Sequence, residues 1–369
     1  MRIVYLLHIS WFWIKQRPQF LAEELARFND VQVACLEDYA NQPALDVAPK
    51  PDRLRLTATH KLSGAFIGHW LSSHLNIRWK KAQLKRQLRH ADMVWVTSPQ
   101  QFQLVEQSLT AKHKVVYDCM DDHAEFYTNP QVKARIRSLE QALCLRADLI
   151  IASAQVLAQR IAQRYQPTAP LAIVNNAIRA QVISDQPHSV LTEPLHGIFQ
   201  DKQFVHLVYI GTVAGWIDFD LLVASLDRLP RLRIVLIGPV DTAHPQHERL
   251  LLPGKIPHDM VGAAMQAADA LVMPFQVTDL IRAVNPVKAY EYIASGKPVI
   301  LCRYEETIPF DQYVYLYEQQ SDFFHLVEEL TNQMLSPRTD QANAKQFALS
   351  HTWTQRGDHI QQLIQSLSS

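Results

Sequence analysis

The chain has 369 residues, 48% hydrophobic and 20% charged, with 36 Lys/Arg balanced by 36 Asp/Glu. That length points to about two domains, and the composition excludes a disordered chain, a collagen and a small disulfide scaffold. Zero net charge excludes a globally basic nucleic-acid binder, and no nucleic-acid partner is expected.

RIVYLLHI (Arg2–Ile9) is a short apolar run that reads as a buried parallel strand. The start of the chain carries no cleavage site, and no run reaches about 18 apolar residues. The cysteines Cys35, Cys119, Cys144 and Cys302 are scattered without a CxxC pair. A cytoplasmic protein with reduced thiols and no metal site is therefore expected. Ser10, Trp11, Trp13 and Arg17 follow the first strand. An exposed loop with two tryptophans is costly unless the rings are used, either inside the fold or on sugar rings and lipid. Pro18 opens a helix running to about Phe28, where its missing N–H costs nothing.

VQVACLE and LRLTAT follow as strands. Between Asp52 and Asp92 there are nine Lys/Arg and no acidic residue. Trp70, Trp79, Lys80, Lys81, Lys85 and Arg86 there form a basic amphipathic segment. Such a segment suits an anionic membrane surface, or a solvated helix with its apolar side in the core. MVWVTS, KVVYDCM, LIIASA and LAIVNNA are further strands, with helical segments between most of them. Asp121, Asp122 and His123 follow KVVYDCM, at the C-terminal end of a parallel strand where α/β sheets bind ligands. A carboxylate crowded by others has a raised pKa and can take a hydroxyl proton. The same aspartates could instead cap a helix.

Pro187, Pro194 and Gly197 interrupt the pattern, and residues 181–203 read as a linker. The alternation then restarts with FVHLVYIG, RIVLIGPV, ALVMPF and PVILC. Helices are expected near Asp218–Arg228, near His258–Ala268, from Pro286, and over Thr339–Leu367. Gly211 and Thr212 end a strand, where glycine permits close approach to a phosphate or simply makes a turn. Asn285 reads as an N-cap, Pro286 as the first helical residue, with Val287 and Lys288 in the first turn. Free N–H groups, the helix dipole and Lys288 make a phosphate site. Glu291 lies on the same face and suits the hydroxyls of a ribose, or pairs weakly with Lys288 on a plain surface helix.

Two doubly wound parallel-sheet domains are thus expected, an α/β fold class. Residues 1–180 form the first and 204–340 the second. Residues 341–369 form a C-terminal helix packing back toward the first domain. No GxGxxG follows either first strand, which argues against a dinucleotide oxidoreductase.

NPVKAYEYIASGKPVI resembles the donor-binding helix of bacterial GT-B glycosyltransferases, the group 1 or family 4 superfamily. Glu291 occupies the place of that group's second conserved glutamate, which holds the donor ribose. IGTVAGWIDFDLL resembles the glycine-containing loop facing the donor, and AADALVMPF the strand before the donor helix. WFWIKQRPQFLAEELA is similar to a tryptophan-rich variant in enzymes of surface polysaccharide synthesis, such as teichuronic-acid-type glycosyltransferases. The chain departs at Ala283, where the group has its first acidic residue, and GTVAGWIDFD lacks the usual lysine. Lys288 would replace that charge, as in xanthan-type glucuronosyltransferases.

The resemblance implies a GT-B fold with its active site in the cleft between the domains. It implies transfer from a nucleotide sugar, with UDP favoured, and neither a metal nor any other cofactor. Gly211, Thr212, Lys255, Ile256, Arg282, Asn285, Pro286, Val287, Lys288 and Glu291 would bind the donor. Lys255 and Ile256 would hold the nucleobase through backbone groups. Asp121, Asp122 or His123 would be the base. Ser10, Trp11, Trp13 and Arg17 would meet a saccharide or lipid-linked acceptor. A peripheral position at the inner face of the plasma membrane fits the basic segment. The alternatives are a non-catalytic nucleotide-sugar-binding scaffold and a GT-B-fold epimerase.

Overall fold

The computed structural model describes residues 1–12, 15–35, 51–58, 70–179 and 190–367, with residues 70–76 described by their backbone. The chain divides into two compact units. Met1–Asn176 together with Trp353–Ser369 form one, and Ala177–Thr352 the other.

The first unit runs β1 (Arg2–Leu7), α1 (Arg17–Leu25), β2 (Asp30–Cys35), β3 (Leu54–Ala58), α2 (Trp70–Leu88), β4 (Met93–Val96) and α3 (Pro99–Val105). It continues with β5 (Lys114–Cys119), α4 (Pro130–Arg146), β6 (Leu149–Ala152), α5 (Gln155–Tyr165) and β7 (Leu171–Ile173). The described strands form one sheet in the order β3-β2-β1-β4-β5-β6-β7, every pair parallel. Ile3 to Leu7 are all buried, as the continuous apolar run requires of a strand covered on both faces. The strand is shorter than expected: His8 and Ile9 leave the sheet.

The second unit runs α6 (Leu195–Gln200), β8 (Val205–Ile210), α7 (Phe219–Arg228), β9 (Leu232–Ile237), β10 (Leu250–Gly254), α8 (Val261–Ala267) and β11 (Ala270–Met273). It continues with α9 (Asp279–Arg282), α10 (Val287–Ala294), β12 (Val299–Cys302), β13 (Tyr315–Tyr317), α11 (Gln320–Thr331) and α12 (Gln341–Leu349). Its sheet is again parallel, in the order β10-β9-β8-β11-β12-β13. In both units the strand order therefore reverses beside the first strand, between β1 and β4 and between β8 and β11. Open α/β sheets bind ligands at that switch point, outside the carboxyl ends of the strands.

Two boundaries differ from expectation. The described part of the supposed linker contains α6, whose Leu195 and Phe199 are buried in the second unit's core. The C-terminal segment is two helices: α12 packs on α10 in the second unit, and α13 (Trp353–Ser366) packs on α1 in the first. Between them the chain leaves the helical path because His351 O accepts the Ile178 N–H (2.9 Å) and Thr352 bridges to Ile178.

Candidate active site

In the second unit the site begins at the end of β8. Tyr209 is buried, and its hydroxyl donates to Thr212 O at 3.0 Å. A Cβ on Gly211 would stand 2.5 Å from that hydroxyl, so any larger residue there would have to displace the Tyr209 ring end. Gly238, just past β9, has φ +150°, and a Cβ on it would meet Gly211 O at 2.0 Å. The turn after β8 thus closes against the turn after β9 through two glycines. Tyr292 of α10 reaches the same strand end, its hydroxyl accepting the Ile210 N–H at 2.7 Å. Through Tyr292, α10 is tied to the end of β8.

Pro286, not Asn285, takes the N-cap position of α10, and no side chain caps the helix. Asn285 is buried and accepts a hydrogen bond from the Tyr290 hydroxyl at 3.3 Å. The first-turn N–H groups are therefore left without a side-chain acceptor, the arrangement that receives an anion. Lys288 Nζ lies 2.5 Å from Glu291 Oε2, with the side chains 27% and 14% exposed. The ion pair foreseen as the plain alternative is present, and both groups stay within reach of solvent.

Arg282 is paired with Glu305 at 2.9 Å. Ala283 is fully buried, so a carboxylate in its place would be desolvated. Lys255 is exposed and Ile256 packs against the core, both beyond Gly254 at the end of β10. Two strand spacings, about 10 Å, separate them from β8. The donor candidates other than Arg282 thus lie at strand ends on the carboxyl edge of the sheet or in the start and first turns of α10.

In the first unit the switch point holds a residue that sequence reasoning missed. His8 ends the run after β1, and its Nδ1 lies 2.7 Å from Thr97 Oγ1, just past β4. The Thr97 hydroxyl also lies 2.8 Å from Leu6 O and 3.2 Å from Gln101 Oε1. Its one proton can go to a carbonyl or to His8 Nδ1, so the direction of the His8–Thr97 bond follows the imidazole tautomer. His123 crosses His8 edge-on at 5.6 Å. Burial pushes His8 down to about 3, aided by His123, and burial pushes His123 down to about 4. Both imidazoles are neutral at neutral pH, and His123 Nε2 is buried without a partner.

The neighbouring aspartates have different environments. Burial pushes Asp121 up to about 7, against the pull of Arg17 and with help from Asp122. Asp122 is 2% exposed, and its Oδ2 takes Arg160 at 3.0 Å and Arg164 at 2.9 Å from α5. This corrects the expectation for Asp122: its charge is spent on a buried clamp. Arg17 is corrected likewise. Its guanidinium holds Asp118 at 2.8 Å and Val174 O at 2.6 Å, with only 1% of the side chain exposed, so its charge is committed inside the fold. The sequence signal for His8 was its place at the end of the first strand; nothing local betrays Arg17, whose partner lies 101 residues away.

Ser10 and Trp11 are half-buried, and Ser10 O accepts from Gln19 Nε2 at 3.3 Å. Trp13 lies outside the described residues. On α2, Leu84 and Leu88 face the core while Trp79 is 47% exposed. Lys85 and Arg86 are exposed and Lys80 and Lys81 half-buried; the side chain of Trp70 lies outside those described. Among the described residues no helix is long and apolar enough to cross a membrane.

No protein-family model matches the chain. Over 264 residues it is 25% identical to TuaH of Bacillus subtilis (strain 168), provisionally assigned as a teichuronic acid biosynthesis glycosyltransferase. That match covers 65% of this chain and 64% of TuaH, so the chain spans just under two thirds of that relative. Sucrose-phosphate synthase from Thermosynechococcus elongatus superposes with a TM-score of 0.76 at 13% identity, covering 99% of this chain and 98% of the other. Anabaena HepE in complex with UDP-glucose superposes with a TM-score of 0.72 at 15% identity, covering 99% and 100%. The fold is GT-B, with two Rossmann-like parallel-sheet domains.

Proposed function

We propose that the protein is a glycosyltransferase that moves a sugar from a UDP-sugar to a surface-polysaccharide or lipid-linked acceptor. The observation that carries this reading is the uncapped start of α10, with Lys288 and Glu291 on one face beside the switch point of the second sheet. The resemblance to TuaH supports the class of acceptor, and the HepE complex with UDP-glucose supports the class of donor.

The diphosphate would sit on the free N–H groups of α10, with the Lys288 ammonium adding a full charge. Without nucleotide, Lys288 neutralises Glu291. With nucleotide, Lys288 turns to phosphate and Glu291 is freed to accept from the ribose hydroxyls. As the bond from the sugar's anomeric carbon to phosphate breaks, negative charge grows on the departing UDP, where the helix and Lys288 stabilise it. The acceptor oxygen forms the new bond to that carbon and gives up its proton. Asp121, a carboxylate titrating near neutrality, is the group available to take that proton. Anchoring at an anionic membrane would use the exposed Trp79, Lys85 and Arg86 of α2.

The test is release of UDP from a panel of UDP-sugars, with and without a lipid extract from a polysaccharide-producing bacterium. The reading predicts extract-dependent release with one UDP-sugar, reduced by about 100-fold or more in Asp121→Asn. Equal release without extract, or release from no UDP-sugar at all, would overturn it.

A further inference from the structure

Beside α12 in the second unit lies a cavity of about 460 Å³ that the donor reading leaves unused. That size falls in the range of roughly 300–1,000 Å³ typical of small-molecule sites. Gln312, Tyr313, Thr339, Asn343, Gln346 and Phe347 line it, and none of them is ionisable at neutral pH. Its sequence neighbours Arg338 and Asp311 pair with each other at 3.4 Å. Asp340 caps α12, accepting from Asn343 N and Nδ2 at 2.8 Å each. That leaves the Asn343 carbonyl oxygen for another donor. Gln312 and Gln346 are exposed and Thr339 half-buried, so their amides and hydroxyl are open to a ligand. Phe347 is buried, covered by His351 at 4.3 Å and Tyr313 at 4.4 Å, so the half-buried Tyr313 ring is the aromatic surface left to a ligand.

This lining selects a chemistry. Amides and hydroxyls both donate and accept, which matches sugar hydroxyls, and aromatic faces match the apolar C–H face of a sugar ring. A phosphate or nucleotide would find no cation among the lining residues, and the neighbouring Arg338 is already paired with Asp311. A purely apolar ligand would strand the amides. We propose that this cavity binds a neutral saccharide, at a site separate from the α10 N-terminus. The proposal rests on the reading of the chain as a carbohydrate enzyme only in the source of the ligand, which would be an acceptor chain or a free sugar.

The cavity is also wired to the donor helix. Phe347 stacks on Tyr290 of α10 with centroids 5.9 Å apart at 14°. The Tyr290 hydroxyl in turn donates to Asn285, just ahead of the helix start. A saccharide against Tyr313, which packs on Phe347, and a nucleotide at α10 would meet the two ends of this stack, so any effect of either on the other is reciprocal.

Saturation-transfer NMR on the full chain tests the site. The probes are methyl glucoside, methyl N-acetylglucosaminide, maltotriose, cellotriose, methyl glucuronide and inorganic phosphate, each at roughly 10 mM, enough to see millimolar binding. At least one neutral saccharide should bind, remain bound under saturating UDP, and weaken by about fivefold in Gln346→Ala and in Asn343→Ala, both exposed positions. Preference for the trisaccharides would identify an acceptor chain, and equal binding of the methyl glycosides a free sugar. The proposal is overturned if no neutral saccharide binds, if both variants bind as wild type, if UDP displaces the probe, or if glucuronide or phosphate is preferred. The UDP-dependent melting shift, read in the same samples, reports on the α10 site separately.

Discussion

Asp121 and Asp122 are adjacent in sequence, yet only Asp122 is locked by two arginines. Asp121, pushed up to about 7, binds more protons folded than unfolded between about pH 4 and pH 7. Its contribution to stability is present at low pH and lost as pH rises through about 7. Asp121→Asn should therefore melt higher than wild type at about pH 8, with the gap closing toward about pH 5. His8 and His123 have the opposite sign: held down to about 3 and about 4, they stabilise above their unfolded value of 6.5 and cost stability as pH falls through that window. Calorimetric melts across this range check both, and a pH-independent gap between variant and wild type would contradict the Asp121 assignment. Arg17→Met should destabilise by about 3–5 kcal/mol in urea unfolding, since it leaves Asp118 buried and unpaired. Adding Asp118→Leu should restore most of that loss. The residue scale was also the least legible in sequence. Arg17 and Asp122 looked like ligand contacts because their types suit ligands. Their partners, Asp118 and Arg160 with Arg164, emerge only in three dimensions.

At the scale of elements, α10 and its neighbours were readable because helix starts and strand ends have local chemistry. Asn-Pro before an amphipathic run and Gly-Lys-Pro after it bracket the helix to within a residue. The cap itself was misassigned, since Tyr290 draws Asn285 inward from the next turn. The break between α12 and α13 was not readable, because the pairing of Thr352 with Ile178 spans most of the second unit. Helix α2 shows an exposed Trp79 beside Lys85 and Arg86 over a core face of Leu84 and Leu88. If this face meets a membrane, each basic residue gives about 1 kcal/mol at an anionic surface. Reversal of both charges, Lys85→Glu with Arg86→Glu, should then abolish flotation with anionic vesicles at low salt and leave nucleotide binding intact. Flotation equal to wild type would remove α2 from the membrane account.

At the scale of the molecule, the order reverses beside the first strand of each sheet, and candidate site residues lie at each reversal. His8 and Thr97 flank the first reversal; Gly211 and α10 flank the second. Strand and helix periodicity made this architecture plain from sequence, while the return of α13 to the first unit gives the domains a boundary that chain order alone blurs. The central claim is that α10 binds the diphosphate of a UDP-sugar. It is tested most directly by thermal shift with UDP, GDP, ADP, CMP and NAD on wild type and Lys288→Ala. At about 100 times its Kd a ligand stabilises by about 2.7 kcal/mol, a readily measured rise in Tm. The account predicts a rise with UDP above the others, and a smaller one at the same concentration in Lys288→Ala. No rise with any nucleoside diphosphate, or an equal rise in the variant, would contradict it.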